Sequence, residues 1–346
     1  MEHNFINKRV LLTGISGFLG LHTAIQLLNK GYKVTGTVRN LSRANELKTI
    51  IQKHTPHIAH LNIVEADLNA ETKWKEVTKN IDFIQHIASP FPRVLPKHES
   101  ELIDPAKNGM LSILKYASVN NVKRVVVTSS IAAVVYGKNK NELHTTFTEN
   151  DWTNESNKKD STPYFRSKTI AEKAAWEFIK TDQSGLELVT VLPGAILGPV
   201  LEEDFGTSAN IVIKTIDGSM PAIPKIGVDI IDVKSVADLL IKAMELPQAN
   251  QQRYFASSGY LSFRDIAKIL KKEYPDRKIP SREIPDFFVK LLSIFETALK
   301  PILIDLGEKR KIDRSKALKE LNWKPLPMED AILSCAKSVI ELGIVK

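Results

Sequence analysis

The sequence has almost no cysteine. Cys335 is the only one among 346 residues, which excludes an intramolecular disulfide and a cysteine-based zinc cluster and is typical of a reducing compartment. No uninterrupted apolar run is long enough for a transmembrane helix, and the first residues lack the apolar core of a secretory signal. We therefore expect a cytoplasmic protein with no membrane partner and no bound metal.

Acidic residues are in the minority. The chain has 40 Asp and Glu residues and 48 Lys and Arg residues, which gives a formal net charge of +8. The basic residues are scattered and no nucleic-acid motif accompanies them, so a nucleic-acid partner is not expected. A composition of 43% hydrophobic and 25% charged residues is typical of a globular protein. We expect a monomer or a homodimer, a choice that the sequence leaves open.

A glycine-rich turn stands near the start of the chain. Residues 13–20 read T-G-I-S-G-F-L-G, between an apolar strand pattern and a helical one. Gly14 allows a tight turn, Gly17 lets backbone N–H groups approach an anion, and Gly20 lets the helix pack close to the strand. The helix N-terminus adds partial positive charge. The predicted dinucleotide contacts are Gly14, Ser16, Gly17, Phe18, Leu19 and Gly20; the alternative is an ordinary turn.

The second predicted strand, residues 32–39, ends in an arginine. Arg39 lies 19 residues after Gly20, where dinucleotide-binding folds read the adenosine ribose. An acidic residue there would bind the free 2′-hydroxyl of NAD, whereas Arg39 and Arg43 favour the 2′-phosphate of NADP. We therefore predict NADP(H). The alternative is a solvated arginine at a strand end.

Strand and helix patterns alternate through the first two-thirds of the chain. This alternation predicts an α/β fold with a doubly wound parallel sheet, whose strands end at one ligand-binding edge. We assign residues 1–199, with returning strands near 226–233 and 253–256, to a nucleotide-binding domain. Residues 200–225 and 257–346 are expected to form a smaller, mostly helical substrate-binding part.

Tyr164 and Lys168 form the strongest catalytic candidate. They are four residues apart on a predicted helix that begins at Pro163 after a capping Ser161 or Thr162, so their side chains share one face. An ammonium about 4 Å from the phenol, at an effective dielectric near 20, favours the phenolate by ~4 kcal/mol. Desolvation opposes this, so we expect a smaller net decrease of the tyrosine pKa. The alternative is a solvated helix surface.

A buried strand ends in hydroxyl groups at the same edge. Residues 125–130 read V-V-V-T-S-S, and a serine there can donate a hydrogen bond to a carbonyl oxygen that gains negative charge. Ordinary turn chemistry at a strand end is the alternative.

These motifs occur in an order that is specific to one family. They continue with A-D-L at 66–68, H-I-A-S-P-F at 86–91, P-G-A-I-L-G-P at 193–199 and S-K-A-L-K-E-L-N-W at 315–323. The chain resembles, over nearly its whole length, the extended short-chain dehydrogenases/reductases, which have a Rossmann fold. It is most similar to the dihydroflavonol-4-reductase-like branch, with cinnamoyl-CoA reductases and NADPH-dependent aldehyde/ketone (methylglyoxal-type) reductases.

The resemblance implies a role for individual residues. It makes Tyr164 the general acid, Lys168 a ligand of the nicotinamide ribose, and Ser130 the catalytic serine. The further cofactor contacts that it implies are Asp67, Leu68, Ala88, Ser89, Thr128, Pro193, Gly194, Ala195 and Ile196.

The expected activity is NADPH-dependent reduction of an aldehyde or ketone. The predicted substrate pocket comprises Phe91, Ser130, Ile131, Tyr136 and Phe205. It is largely apolar, which favours a small hydrophobic carbonyl compound. The loop signatures of the plant enzymes are not matched in residues 138–161 or 201–219. A sugar-nucleotide epimerase or dehydratase and a non-catalytic NADP(H)-sensing protein are the alternatives.

Overall fold

The computed structural model of the chain describes residues 7–68, 70–89, 98–295 and 297–346. In chain order its strands are β1 (Arg9–Thr13), β2 (Lys33–Val38), β3 (Leu61–Glu65), β4 (Phe83–His86), β5 (Arg124–Thr128), β6 (Thr146–Phe147), β7 (Glu187–Pro193), β8 (Ala195–Leu197), β9 (Gly227–Asp232), β10 (Arg253–Ala256), β11 (Gly259–Ser262) and β12 (Lys311–Ile312). Its helices are α1 (Phe18–Asn29), α2 (Ala44–Gln52), α3 (Glu71–Val77), α4 (Ser100–Val119), α5 (Pro163–Thr181), α6 (Asn210–Ile216), α7 (Val233–Glu245), α8 (Phe263–Glu273), α9 (Asp286–Phe295), α10 (Ser315–Glu320) and α11 (Met328–Glu341).

Seven parallel strands form the central sheet. Their order is β10-β7-β5-β4-β1-β2-β3, and each neighbouring pair is parallel. The carboxyl ends of β1, β2, β4, β5 and β7 therefore meet at one edge, where parallel α/β sheets bind ligands. The predicted doubly wound α/β fold is confirmed.

Helices cover both faces of this sheet. Alternate residues of β1 show the two layers: Val10 and Leu12 belong to the core that includes α1 and α7, and Leu11 to the core beneath α4. Helix α1 packs on α7, and α4 packs on α5. Because both faces are covered, the strands are nearly continuous apolar runs.

The strand predicted near residues 226–233 does not join the central sheet. It is β9, which pairs with β8 and β11 in a separate three-stranded sheet. The position beside β7 is taken by β10, as predicted for residues 253–256. At Gly194, between β7 and β8, a Cβ would lie 2.3 Å from the Asp229 carbonyl oxygen, so glycine allows the close approach of β9.

The C-terminal region is mostly helical. Helices α6, α8 and α11 pack against one another, and α9 is followed by 3₁₀ turns at Thr297–Asp305. Within the described ranges, no helix is long and apolar enough to cross a membrane.

Candidate active site

The glycine-rich turn joins β1 to α1 at the carboxyl edge of the sheet. Gly14 has a φ of +73°, in the left-handed region that favours glycine, and its carbonyl oxygen accepts from the N–H of Gly17 over 3.1 Å. A Cβ on Gly20 would lie 2.1 Å from the same oxygen, so glycine lets α1 pack this close. Among the described residues no side chain caps α1, and its first N–H groups and partial positive charge remain for an anion.

A cleft of about 1090 Å³ runs along this edge. The predicted site residues that line it are Gly14, Ser16, Gly17, Phe18, Leu19, Gly20, Arg39, Asp67, Leu68, Ala88, Ser89, Thr128, Ser130, Tyr164, Lys168, Pro193, Gly194, Ile196 and Phe205. The structure therefore brings the glycine-rich turn and the three catalytic candidates into one cleft.

Some predicted residues lie elsewhere. Arg43, Ile131, Tyr136 and Ala195 are not in the part of the cleft wall that the structure describes, and Phe91 lies outside the described residues. The Tyr136 side chain instead contacts Phe165 and Asp305. Its ring stacks on Phe165 with 3.8 Å between centroids, and its hydroxyl donates to Asp305 over 3.2 Å. The structure thus places Tyr136 behind the cleft wall.

The cleft also contains residues that sequence reasoning missed. The neighbours of the predicted Phe205 are among them: the cleft wall includes Ser129, Glu203, Asp204, Gly206, Thr207, Ser208 and Asn210. Ser129 belongs to the run of hydroxyl residues that follows β5, and this run could have identified it as a site residue. The 203–210 stretch matches no motif, and only its position after the P-G-A-I-L-G-P segment could have pointed to it.

The cleft wall suits a dinucleotide. The Oγ1 atom of Thr128 is buried and has no hydrogen-bond partner among the described residues, so it is available to a bound molecule. A Cβ on Gly17 would have only the Gly14 carbonyl oxygen nearby, at 3.5 Å, so the backbone there is open to close approach. These two features fit the pyrophosphate and ribose groups of NADP(H).

The two arginines near the end of β2 differ in their surroundings. Arg39 lines the cleft, as expected of a residue that reads the adenosine ribose. Arg43 instead forms ion pairs with Glu46, at 3.1 Å, and with Glu202. Asp204 lies 3.7 Å from the same guanidinium.

The start of α5 holds the catalytic candidates in the wall of the cleft. The hydroxyl of Thr162 accepts from the Phe165 N–H over 3.3 Å and Pro163 occupies the first turn, so the helix begins as predicted. Tyr164 is hydrogen-bonded to Ser130. The Nζ atom of Lys168 lies 5.9 Å from the centroid of the Tyr164 ring.

Burial shifts the pKa values of both ionisable groups toward their neutral forms. It raises the pKa of Tyr164 to about 12, although the hydrogen bond to Ser130 acts in the opposite direction. It lowers the pKa of Lys168 to about 8, although the charge of Glu172 raises it. The expected net decrease of the tyrosine pKa is therefore wrong for this structure, because desolvation outweighs the hydrogen bond to Ser130. The phenol keeps its proton at neutral pH.

A buried histidine orders the turn after β4. The Oγ1 atom of Thr13 accepts from the Ala88 N–H over 3.0 Å and lies 2.8 Å from Nδ1 of His86. Burial and the nearby Lys168 charge lower the pKa of His86 to about 3. The neutral imidazole thus holds the Thr13 side chain in position by a hydrogen bond. Thr13 in turn holds the backbone at Ala88, where the chain enters the cleft wall.

A buried ion pair lies beneath Lys168. Glu172, one turn further along α5, accepts from Ser129 over 2.5 Å, from Thr190 over 2.8 Å and from Nε of Arg253 over 2.8 Å. Glu172 is 1% and Arg253 9% exposed. This network ties the catalytic helix to three strands of the sheet and supplies a negative charge on the inner side of Lys168.

Comparison with known proteins agrees with this geometry. The sequence pattern of the NAD dependent epimerase/dehydratase family matches residues 10–255. Cinnamoyl-CoA reductase of Medicago truncatula is 31% identical over 288 residues, which cover 82% of this chain and 86% of that protein. A ketoreductase of Aspergillus niger is 32% identical over 299 residues, covering 81% and 87%.

A solved structure has the same fold over nearly the full length. The yeast methylglyoxal/isovaleraldehyde reductase Gre2, complexed with NADPH, superposes with a TM-score of 0.80 at 26% identity, covering 98% of this chain and 100% of that one. The chain belongs to the NAD dependent epimerase/dehydratase family and has the fold of the extended short-chain dehydrogenases/reductases, as its motifs predicted.

Proposed function

We propose that this oxidoreductase reduces an aldehyde or ketone to an alcohol with NADPH, and that Tyr164 is the general acid. The observation that carries the proposal is that Ser130, Tyr164 and Lys168 line the same cleft as the glycine-rich turn. Bound NADPH would supply the hydride. The chain supplies the rest: Ser130 donates a hydrogen bond to the carbonyl oxygen, and Tyr164 donates the proton that completes the alcohol.

NADP(H) is the cofactor that the relatives support. The yeast Gre2 and its Candida albicans counterpart were both solved with NADPH. In this chain Arg39 lines the cleft and Asn40 follows it, so no carboxylate stands at the end of β2 to bind a free 2′-hydroxyl. The residues that would hold the pyrophosphate are those of the Gly14–Gly20 turn, and Thr128 would contact the ribose side.

We propose a small hydrophobic carbonyl compound as substrate. The relatives named above are reductases of a thioester, a ketone and aldehydes. Phe205 is an apolar part of the cleft wall. An apolar pocket disfavours highly charged substrates such as sugar nucleotides, because their charges would lose solvation there.

The family pattern also covers epimerases and dehydratases, which act on nucleotide sugars. An acid beside the catalytic serine would favour a dehydratase, but Ile131, Ala132 and Ala133 follow Ser130. A non-catalytic sensor would not require Tyr164 and Lys168 together on one helix face in the cleft wall.

The test is a substrate screen with purified protein. NADPH consumption is followed by absorbance with aliphatic and aromatic aldehydes and ketones, cinnamoyl-CoA and a nucleotide sugar, and each reaction is repeated with NADH. We expect turnover of the hydrophobic carbonyls with NADPH. Turnover of the nucleotide sugar alone would support the epimerase or dehydratase alternative, and NADPH binding without any turnover would support the sensor.

A further inference from the structure

The polypeptide segment between β8 and α6 forms part of the cleft wall. This cross-strap, residues 201–209, connects β8 to α6, and its members Glu203–Ser208 line the cleft. It lies directly on the helix that follows the glycine-rich turn, since a Cβ on Gly206 would be 3.0 Å from Cδ1 of Phe18. Residues of the cross-strap therefore face the groove that the dinucleotide would occupy.

The cross-strap is anchored by Arg43. The Arg43 guanidinium pairs with Glu202, whose side chain is 8% exposed, while its own is 36% exposed. It also lies 3.7 Å from Asp204, which lines the cleft as Arg39 does. Two carboxylates of the cross-strap thus lie against an arginine that follows β2.

These ion pairs compete with the function predicted for Arg43 from the sequence, which is to bind the 2′-phosphate of NADP(H). A guanidinium that binds a 2′-phosphate needs its N–H donors free for phosphate oxygens. Here two cross-strap carboxylates and Glu46 surround those donors. If Arg43 turned to a phosphate, the buried Glu202 would lose its counterion, which is costly because a desolvated carboxylate is stable only when it is paired. The second carboxylate oxygen of Glu202 already has no partner among the described residues.

We propose that Glu202, supported by Asp204, is a cofactor-specificity residue: it occupies Arg43 as an internal substitute for the 2′-phosphate, so that Arg43 contacts the 2′-phosphate of NADP(H) only after this ion pair opens. The proposal rests on the proposed NADP(H)-dependent function. NAD(H) has no 2′-phosphate and leaves the pair intact. The preference of the native protein for NADP(H) is therefore smaller than two free arginines would produce, and the cross-strap is released when NADP(H) binds.

The test compares cofactor affinities of native protein and variants by fluorescence or calorimetric titration with NADPH and NADH, without substrate. Glu202→Gln keeps the shape of the side chain and removes its charge. We expect the Kd for NADPH to fall about three- to fivefold, the upper range for release of one partly exposed ion pair, and the Kd for NADH to stay within about twofold. Glu177→Gln is the matched control, since it removes the same charge from an exposed side chain of α5 that does not line the described cleft wall, and it should leave both values near those of native protein.

Two further variants keep the result interpretable. Asp204→Asn, at a more exposed position, should shift the NADPH affinity in the same direction even if Glu202→Gln impairs folding. In the double variant Arg43→Gln/Glu202→Gln the increase in NADPH affinity should disappear, because no arginine at position 43 remains to bind the 2′-phosphate.

An unchanged or weaker NADPH affinity in both Glu202→Gln and Asp204→Asn would overturn the proposal, since Glu202 would then organise Arg43 rather than occupy it. Equal binding of NADPH and NADH by native protein would instead count against the NADP(H) assignment, and in that case a selective gain for NADPH in Glu202→Gln would still support competition for Arg43.

Discussion

Lys168 is buried and Tyr164 is partly buried, and desolvation raises the pKa of the tyrosine and lowers that of the lysine. The phenol keeps its proton well above neutral pH, because its pKa is about 12. The lysine keeps its charge only up to a pH near 8. At neutral pH the pair is therefore a protonated phenol beside an ammonium, which suits proton donation to a carbonyl oxygen during reduction.

We predict that Tyr164→Phe abolishes most turnover and leaves NADPH binding intact. The phenolic proton is lost, and general acid catalysis contributes about 10²- to 10⁴-fold to a rate, whereas the dinucleotide is held at the glycine-rich turn. Single-turnover reduction and an NADPH titration measure the two effects. Tyr274→Phe is the matched control, since it removes the same oxygen from a tyrosine at the end of α8 that does not line the described cleft wall. Retention of most of the kcat in Tyr164→Phe would place the acid elsewhere.

A second residue-scale prediction concerns pH. Lys168 carries its charge below its lowered pKa of about 8 and loses it above, so kcat/KM for carbonyl reduction should be highest below pH 8 and fall as the pH rises through that value. The groups facing Lys168 are Tyr164, His86 and Glu172; the first two are neutral at that pH. A pH profile of kcat/KM, which reports the free enzyme, measures the effect, and a flat profile from pH 7 to about 9.5 would contradict it.

Arg39 is the residue on which cofactor choice depends most directly. We predict that Arg39→Asp reverses or abolishes the preference for NADPH, because a charged hydrogen bond of about 1.5–3 kcal/mol is lost and a carboxylate suited to a 2′-hydroxyl replaces it. The ratio of the Kd values for NADPH and NADH measures this. Arg282→Asp, an exposed arginine remote from the cleft, controls for net charge, and an unaltered ratio in Arg39→Asp would exclude Arg39 from the ribose site.

At the scale of elements, helix α5 combines chemistry and support on one face. Its residues 164, 168 and 172 recur every four positions, so the acid, the ammonium and the buried carboxylate lie one above another. The carboxylate reaches β5 through Ser129 and β7 through Thr190, and it pairs with Arg253 of β10. Tertiary contacts of this helix thus hold the catalytic pair against the strands that line the cleft.

We predict that Glu172→Gln lowers both the stability and the upper pH limit of activity. It leaves the buried Arg253 without a counterion, a loss on the order of 3–5 kcal/mol, and it removes the charge that raises the pKa of Lys168. The free energy of unfolding should drop, and the alkaline decline of kcat/KM should shift below that of native protein. Glu177→Gln, an exposed position on the same helix, should change neither. If Glu172→Gln were less stable but had the pH profile of native protein, Glu172 would have a structural role only.

Sequence patterns predicted some elements far better than others. Strand β5 is observed at Arg124–Thr128 as expected, and α5 begins at Pro163 because a cap and a proline fix its start. Strand β9 was assigned to the wrong sheet, since an apolar strand pattern does not say which neighbour it pairs with. Arg43 was predicted to face the cofactor, but its carboxylate partners Glu202 and Asp204 are about 160 positions away in sequence, and no local pattern reveals such a contact.

The catalytic helix is also tied to the C-terminal region. Arg310 donates to both carboxylate oxygens of Asp160, over 2.6 and 3.0 Å, and to the Val135 carbonyl oxygen over 2.9 Å. Its guanidinium lies 4.4 Å from the Tyr136 ring centroid, and that ring stacks on Phe165, the neighbour of Tyr164 in α5. The division of the chain into two domains stays a prediction, but this contact joins the parts that were expected to bind cofactor and substrate.

We therefore predict that Arg310→Met weakens the whole molecule and reduces turnover more than cofactor binding. The arginine is 7% exposed, and its loss leaves Asp160 and Asp305 without their cation, which should cost about 3 kcal/mol or more and lower the Tm by several degrees. The first turn of α5 loses the support that it receives through Tyr136, so kcat should fall. The glycine-rich turn joins β1 to α1 and does not depend on this contact, so the Kd for NADPH should stay within about twofold. Thermal unfolding, kinetics and an NADPH titration test this, with the exposed Arg282→Met as control. An unchanged Tm, or equal losses in cofactor binding and kcat, would show that Arg310 does not connect the C-terminal region to the catalytic helix.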